Sequence, residues 1–486
     1  SYTVKILGDF DGDGNVTVTD LVKTVDLSLK GAAADQNISQ DVNVDGRITV
    51  TDIVRIRKMI LSESTGITPD DAVISAIDSS ISEAIQKSGV TVTDKNLEQS
   101  IFNIGDRTRV ANVIKKAMRG EKIVISTFGG SITEGSGRGT APSNITSGYE
   151  SGDIRCYADV FADWFRDAFK SYGATVELRN AGIGATDTPY GIHRMGEDVL
   201  AYNPDLVILE WNMNDQPEDY RQGTYEFMIR KLLKEDIAVV MLSMAGSKNL
   251  GTQFMHEPLS KFYNVPYVSY RDAFKNESYF ANLTNDTVHP NIVGHHLTAM
   301  LLSNFFGDVY KDIANIGSIA SGVSDAYYNS DAACYTDNPY IAKLSDIEDG
   351  KVKGVRMISR GSFQKEASEN GFGFRRYYGY TAKYAESYEP MVLEIDKCQT
   401  LFLQIMRSYG MRDAAFYLEI NGKKATDSSF TCSHSSGGDS SQIENQYHWA
   451  TRRAFYKDGG EKVTVKIYPT NKNAQEYVKL FALLLS

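Results

Sequence analysis

From Lys122 to Phe306 short apolar runs alternate with helical patterns, and few folds accept that order. The runs lie at 123–128, 176–180, 206–211, 237–242 and 267–270. Helical periodicity fills the gaps, at about 157–171, 190–202, 218–235, 252–262 and 291–306. Strands joined through helices pair in parallel, because each crossover returns the chain to the same edge. Near-continuous apolar runs imply a sheet covered on both faces. In such sheets ligands bind outside the carboxyl ends of the strands, so the residues just after each run are where chemistry is expected.

The chain on either side reads differently. Residues 62–66, Ser-Glu-Ser-Thr-Gly, form a linker, and Pro69 opens a helix with Val73, Ile74, Ile77, Ile81 and Ile85 on one face. A second helix is predicted over about 107–118, stopping at Gly120. Beyond 318 the helical period fades into short strand-like runs at 355–358, 391–395, 401–405, 415–420, 463–468 and 478–485. Turn residues separate them, as in Asn421-Gly422 and Asp458-Gly459-Gly460. That pattern predicts an all-β sandwich or jelly roll. In it, Phe372, Phe374, Tyr377, Tyr378, Tyr380, Tyr384 and Tyr388 crowd one stretch beside Arg375 and Arg376. Aromatic residues on strands are core more often than sugar-stacking platforms, and core is the expectation. The expected division is 1–64, a 65–121 lead-in, a 122–315 α/β domain and a 316–486 β domain.

The first strand of the sheet ends in Gly129-Gly130-Ser131-Ile132-Thr133, which places a serine at the carboxyl edge between small residues. Taken alone this is an ordinary turn. Its weight comes from Asp286-Thr287-Val288-His289-Pro290, ahead of the last helix. A three-residue gap lets one turn supply a base and the carboxylate that orients it. The order Ser, Asp, His is that of other α/β esterases. Two further segments follow later strands: Asn180-Ala181-Gly182-Ile183-Gly184-Ala185-Thr186, then Asn212-Met213-Asn214-Asp215. Together the four segments resemble the four blocks of the SGNH (GDSL-type) hydrolase superfamily, over about 122–306 and in order.

That resemblance implies a flavodoxin-like parallel sheet and an acyl-enzyme mechanism. Ser131 matches the nucleophile and first oxyanion donor, Asn214 the side-chain oxyanion donor, and Asp286 with His289 the acid–base pair. The remaining backbone donor falls on Gly184 or Ala185. Gly130 stands where the GDSL name has Asp. His193, His256, His295 and His296 are expected to be structural, and Asp187, Asn212 and Asp215 to satisfy turns. Trp211 either packs under its strand or lines an acyl pocket. Arg138 and the Gly/Ser/Thr-rich stretch 135–152 are expected to form a loop over the site.

Near the N-terminus a twelve-residue segment occurs twice. Asp9, Asp11, Asp13, Asn15, Thr17 and Asp20 take positions 1, 3, 5, 7, 9 and 12 of the first copy. Asp41, Asn43, Asp45, Arg47, Thr49 and Asp52 take the same positions in the second. Gly12 is not at the turn position; Gly14 and Gly46, at position 6, permit the sharp bend. Oxygen ligands so spaced suit Ca²⁺, with Asn15 and Arg47 contributing through their backbone carbonyls. Each loop leads into an apolar helix pattern: Leu21, Val22, Val25 and Leu29, then Ile53, Val54, Ile56 and Ile60. Asp at position 12 resembles the dockerin, the module that joins cell-wall-degrading enzymes to the cohesins of a cellulosome scaffoldin. By that resemblance Val18, Thr19, Val50 and Thr51 contact the cohesin, and two Ca²⁺ hold a module of about sixty residues that buries little core unaided.

A net charge of −11 argues against nucleic acid and anionic membrane as partners. No apolar run approaches the ~18 residues of a membrane helix. The four cysteines, 156, 334, 398 and 432, have neither metal nor redox spacing and are expected as free thiols. The two resemblances together imply a secreted, cellulosome-associated, monomeric carbohydrate esterase with no catalytic cofactor, removing O-acetyl groups from hemicellulose such as xylan or mannan. The alternatives are an SGNH lipase or esterase acting on other esters, and a non-catalytic carbohydrate-binding component.

Overall fold

The structure is a computed structural model that describes residues 18–29, 53, 73, 83–139, 155–284, 286–317, 319–336, 338–370, 376–408, 415–425, 430–431, 446–450, 453–472 and 477–486. The chain divides into two compact units. The first comprises Ser1–Gly182, Tyr202–Pro217 and Met228–Tyr328; the second comprises Ile183–Ala201, Glu218–Phe227 and Asn329–Ser486.

The helices in chain order are α1 (Val18–Leu29), α2 (Glu83–Ser88), α3 (Asp94–Ser100), α4 (Thr108–Met118), α5 (Ser131–Glu134), α6 (Tyr157–Ala168), α7 (Thr188–Asp198), α8 (Asp219–Lys234), α9 (Gln253–Phe262), α10 (Tyr270–Phe274), α11 (Ile292–Lys311) and α12 (Leu344–Glu348). The sheet of the first unit has six strands: β1 (Ile101–Asn103), β2 (Lys122–Gly129), β3 (Thr175–Gly182), β4 (Leu206–Glu210), β5 (Ala238–Ser243) and β6 (Tyr267–Ser269), in the order β1-β6-β5-β4-β2-β3. β2 to β6 are parallel, as the strand–helix alternation predicts. β1 is an antiparallel edge strand against β6 that the sequence did not announce, because three residues are too few to show a period. The five parallel strands follow the flavodoxin order, in which direction reverses on either side of β2.

Helices α4, α6 and α11 share one core with the sheet, containing Ile123, Ile125, Ile208, Val240, Phe161, Phe165, Leu301 and Phe306. α11 is buried nearly throughout, consistent with its even apolar coverage. The helix expected over 190–202 is instead α7 followed by a 3₁₀ turn at Leu200–Tyr202. Asp187 caps α7 by accepting from the Tyr190 N–H, and Pro189 sits in its first turn, so it starts earlier than the apolar pattern.

The second unit holds an antiparallel sheet built from β7 (Tyr340–Lys343), β8 (Val355–Ser359), β9 (Gln364–Asn370), β10 (Arg376–Lys383), β11 (Met391–Ser408), β12 (Ala415–Ile420), β13 (Lys423–Lys424), β14 (Phe430–Thr431), β15 (Gln446–Ala450), β16 (Phe455–Pro469) and β17 (Tyr477–Leu485). Its core includes Leu393, Ile395, Leu403, Phe416, Val465 and Leu483. Two expectations are corrected. The runs 391–395 and 401–405 are one strand, β11, whose register slips between Ile395 and Thr400. Its first part pairs β8 and its later part β17, so a bulge changes partners without ending the strand. Asp458-Gly459-Gly460 is no chain reversal; it lies within β16 opposite that slip, with both glycines at positive φ. Asn421-Gly422 does form the expected tight turn, joining β12 to β13 with both residues left-handed. Of the aromatic stretch, Tyr380 is core, Tyr378 and Tyr384 are exposed, and Phe372 and Phe374 lie outside the described residues.

Candidate active site

β2 is flanked by β3 and β4, with Gly129 level with Gly182 on one side and Glu210 on the other. The loops leaving these strands therefore emerge together at the carboxyl edge, at the switch point of the sheet. Ser131 is the first residue of α5, a single turn that ends at Gly135 in the left-handed region (φ 105°). The turn is clamped from the β3 side. Asn180 Nδ2 donates to the Thr133 carbonyl at 2.7 Å, and a Cβ on Gly182 would stand 2.1 Å from the Glu134 nitrogen.

His289 comes from the turn between a short 3₁₀ segment (Phe280–Leu283) and α11. Ser131 Oγ lies 2.8 Å from His289 Nε2, and His289 Nδ1 lies 2.7 Å from Asp286 Oδ2. The other carboxylate oxygen, Oδ1, accepts from the Val288 and His289 backbone N–H groups at 2.7 and 2.6 Å. Burial raises the Asp286 pKa, but the hydrogen bonds from His289 and Val288 outweigh it and hold the group below the usual carboxylate value. The ends of the turn are tied by a bridge between Thr284 and Pro290 and by the Asn291 side chain, which caps α11. Two close approaches press on it. A Cβ on Gly137 would lie 2.1 Å from the Pro290 carbonyl oxygen, and one on Gly246 would lie 2.1 Å from that of Thr287. Both neighbours are backbone, so neither glycine has room for a side chain.

Asn214 is half-buried on the turn after β4, at the same sheet edge. Its neighbours are structural. Asn212 pairs its side-chain amide with both backbone groups of Met244 at 2.8 Å. Asp215 is buried against His256 at 3.3 Å. Trp211 is buried in the core, edge-on to Phe128 at 5.0 Å. His295 is buried with Nε2 at 3.0 Å from the Ser136 carbonyl, and burial pulls its pKa down to about 4. Within the second unit, Gly184 and Ala185 lie on the turn leading into α7, with Ala185 left-handed at φ 56°. There Asp187 forms a buried ion pair with Arg221 at 2.9 Å.

Of the calcium-loop residues, Asp9, Asp11, Asp13, Asn15, Thr17 and the whole second loop (Asp41 to Asp52, with Val50 and Thr51) lie outside the described residues. α1 forms where the first loop's helix is expected, and Asp20 is buried while Val18 and Thr19 are exposed. Of the expected 135–152 loop, 140–152 lie outside the described residues; Arg138 donates to the Glu134 carbonyl at 2.8 Å. Cys156, Cys334 and Cys398 are free and buried. Sequence reading missed Glu210, a buried carboxyl at the end of β4 that contacts Thr133. An acidic residue ending an apolar run was the available signal.

Residues 127–297, the span holding Ser131, Asn214, Asp286 and His289, match the model of the GDSL-like Lipase/Acylhydrolase family. Among solved structures, a two-domain esterase (CEX) active on acetylated mannans, co-crystallized with mannopentaose, is similar with a TM-score of 0.62 and 22% identity, over 80% of this chain and 97% of that one. A second structure of a two-domain esterase (CEX) active on acetylated mannans gives 0.62 and 23%, over 80% and 98%. Axe2, an acetylxylan esterase from Geobacillus stearothermophilus, covers 38% of this chain and 94% of its own at 18% identity and a TM-score of 0.31. None of the curated proteins is a match. The two-domain likeness establishes the fold, an α/β domain with an antiparallel β domain. The 127–297 segment is a GDSL-type acylhydrolase domain, and the protein is a carboxylic ester hydrolase.

Proposed function

We propose that the chain is a secreted carbohydrate esterase that removes O-acetyl groups from hemicellulose, mannan foremost, and that its N-terminal module docks it on a cohesin. The observation that carries the chemistry is the unbroken relay from Ser131 to His289 to Asp286, with steps of 2.8 and 2.7 Å, at the carboxyl edge of the sheet. The substrate is supported by the two-domain esterase described above, and the docking by the paired Asp-rich loops.

Asp286 keeps the proton of His289 on Nδ1, which leaves Nε2 free to take the Ser131 proton. Ser131 Oγ then attacks the acetyl carbonyl, and the developing oxyanion is met by the Ser131 N–H and the Asn214 amide. Collapse forms an acetyl-enzyme and expels the sugar hydroxyl, which receives its proton from His289. Water, activated by the same base, releases acetate and restores Ser131.

The test is acetate release from acetylated mannan, xylan and pectin by wild type and Ser131→Ala. The variant is expected to lose release on every polymer while keeping calcium-dependent cohesin binding. Retained turnover would remove Ser131 from its role. On 4-nitrophenyl esters, rates falling sharply beyond two acyl carbons support an acetylesterase; rates rising with chain length favour a lipase.

A further inference from the structure

The mechanism above leaves unused an acidic side chain buried against the Ser131 turn. Glu210 ends β4 and is 1% exposed. Its carboxylate accepts from the Thr133 hydroxyl at 2.9 Å and from the backbone N–H groups of Gly130 and Thr133. These residues bracket Ser131, so a single side chain holds the backbone on both sides of the nucleophile. The Thr133 hydroxyl spends its only proton on Glu210. Tyr157 Oη, 2.8 Å away and fully buried, must therefore be the donor to Thr133 Oγ1. The space around this chain is closed. A Cβ on Gly129 would stand 2.3 Å from both the Glu210 backbone carbonyl oxygen and Thr133 Oγ1, and 3.0 Å from Glu210 Oε2. The close approach of the β4 backbone together with this network leaves position 129 no room for a side chain.

We propose that Glu210 is a positioning residue for Ser131: through Gly130 and Thr133 it sets the direction of the Ser131 hydroxyl and N–H. The inference rests on the reading of Ser131 as nucleophile. A buried carboxyl that only filled space would be costly, whereas this one meets donors from two residues of the catalytic turn. Burial is also the main reason its pKa stands at about 7, with the hydrogen bonds from Thr133 and Gly130 opposing the rise.

Glutamine cannot replace it, because one amide oxygen faces three donors and the NH₂ must point at one of them. Displacement of a reacting group by ~1 Å costs on the order of a hundredfold, and a partial reorientation correspondingly less. Glu210→Gln is expected to lower kcat on 4-nitrophenyl acetate about 30- to 100-fold with KM nearly constant. Thr133→Val, which keeps the shape and removes the hydroxyl, is expected to lower kcat about tenfold, and Thr133→Ser to restore it. Rates are expressed per serine titrated by a fluorophosphonate, so loss of folded protein does not imitate the effect. If the folded, titrated variants keep the wild-type kcat and only melt earlier, Glu210 is structural and the inference is overturned. Should Glu210→Gln fail to fold, the Thr133 pair decides alone. Ser131→Ala run alongside separates the two readings: an active Ser131→Ala defeats the proposed function, whereas a dead one beside fully active Glu210 and Thr133 variants defeats only this inference.

Discussion

Replacing Asp286 by Asn should damage the enzyme more than deleting the side chain altogether. The carboxylate does two things. In the proposed mechanism it faces the imidazolium that forms when Ser131 loses its proton, and it accepts two backbone N–H groups on Oδ1 at 2.7 and 2.6 Å. Unit charges ~4 Å apart interact by ~4 kcal/mol at a surface dielectric and ~1 kcal/mol in water. The Asp286 side chain is 52% exposed, which favours the lower half of that range. Removing it in Asp286→Ala should then cost about 2 kcal/mol, or about 30-fold in kcat. Asn inherits the same two backbone donors, which hold its oxygen in place and turn its NH₂ toward His289 Nδ1. Facing a donor, Nδ1 must give up its proton, and the proton moves to Nε2, where it blocks acceptance from Ser131. Recovering the working tautomer means flipping the amide and losing two hydrogen bonds at about 1 kcal/mol each, so Asn should cost about 4 kcal/mol, a thousandfold. The assay is kcat at saturating 4-nitrophenyl acetate for wild type, Asp286→Ala and Asp286→Asn, with circular dichroism to confirm folding. An Asn variant as active as the Ala variant would refute the tautomer reasoning and leave Asp286 a purely electrostatic role.

Asn214→Ala should lower kcat by about 10²- to 10³-fold with little change in KM, measured on the same ester, if its amide meets the oxyanion. Stability should fall in acid: burial drops the pKa of His193 and His295 to about 4, below the ordinary 6.5, so the stability they allow is complete above 6.5 and is lost as pH falls toward 4. Urea midpoints between pH 8 and 4 follow it. Glu210 has the opposite sign, because its folded pKa is raised from 4.5 to about 7. Its contribution, on the order of 3 kcal/mol, is present below 4.5 and lost as pH rises through 7, so the wild type should lose stability relative to Glu210→Gln between pH 5 and 9. Chelation should unfold the N-terminal module and abolish cohesin binding without reducing acetate release; a fall in esterase rate with EDTA would require a metal in the chemistry.

The parallel sheet was legible because both signals that define it are local: apolar runs of strand length and helical periods between them. The convergence of Ser131, His289 and Asp286 was legible for a different reason. Ser131, Asp286 and His289 each stand just beyond an element, and only a chain order compatible with one sheet edge unites them. What escaped notice shares a physical cause. β11 was expected as two runs on either side of Asp396-Lys397, and β16 was expected to begin only at 463 because Asp458-Gly459-Gly460 has the composition of a turn. Paired bulges absorb them without interrupting the sheet, and pairing is decided by a partner strand distant in sequence. The start of α7 was set by the Asp187 cap, which outweighs an apolar pattern beginning later.

Glu210 shows how such a residue can be read. Its run, Leu206-Val207-Ile208-Leu209, is a fully buried strand, so the next side chain also starts out buried. An ionisable group survives there only if donors meet it, since desolvation is otherwise too costly. At a carboxyl edge the nearest free donors are backbone N–H groups at the start of the neighbouring strand's helix, because the first turn of a helix leaves its N–H groups without intrahelical partners. β4 lies between β5 and β2, and the helix that follows β2 begins with Ser131. An acid closing an apolar strand beside the strand that leads to the proposed nucleophile is therefore within reach of the backbone that carries Ser131. That is the backbone the carboxylate holds here.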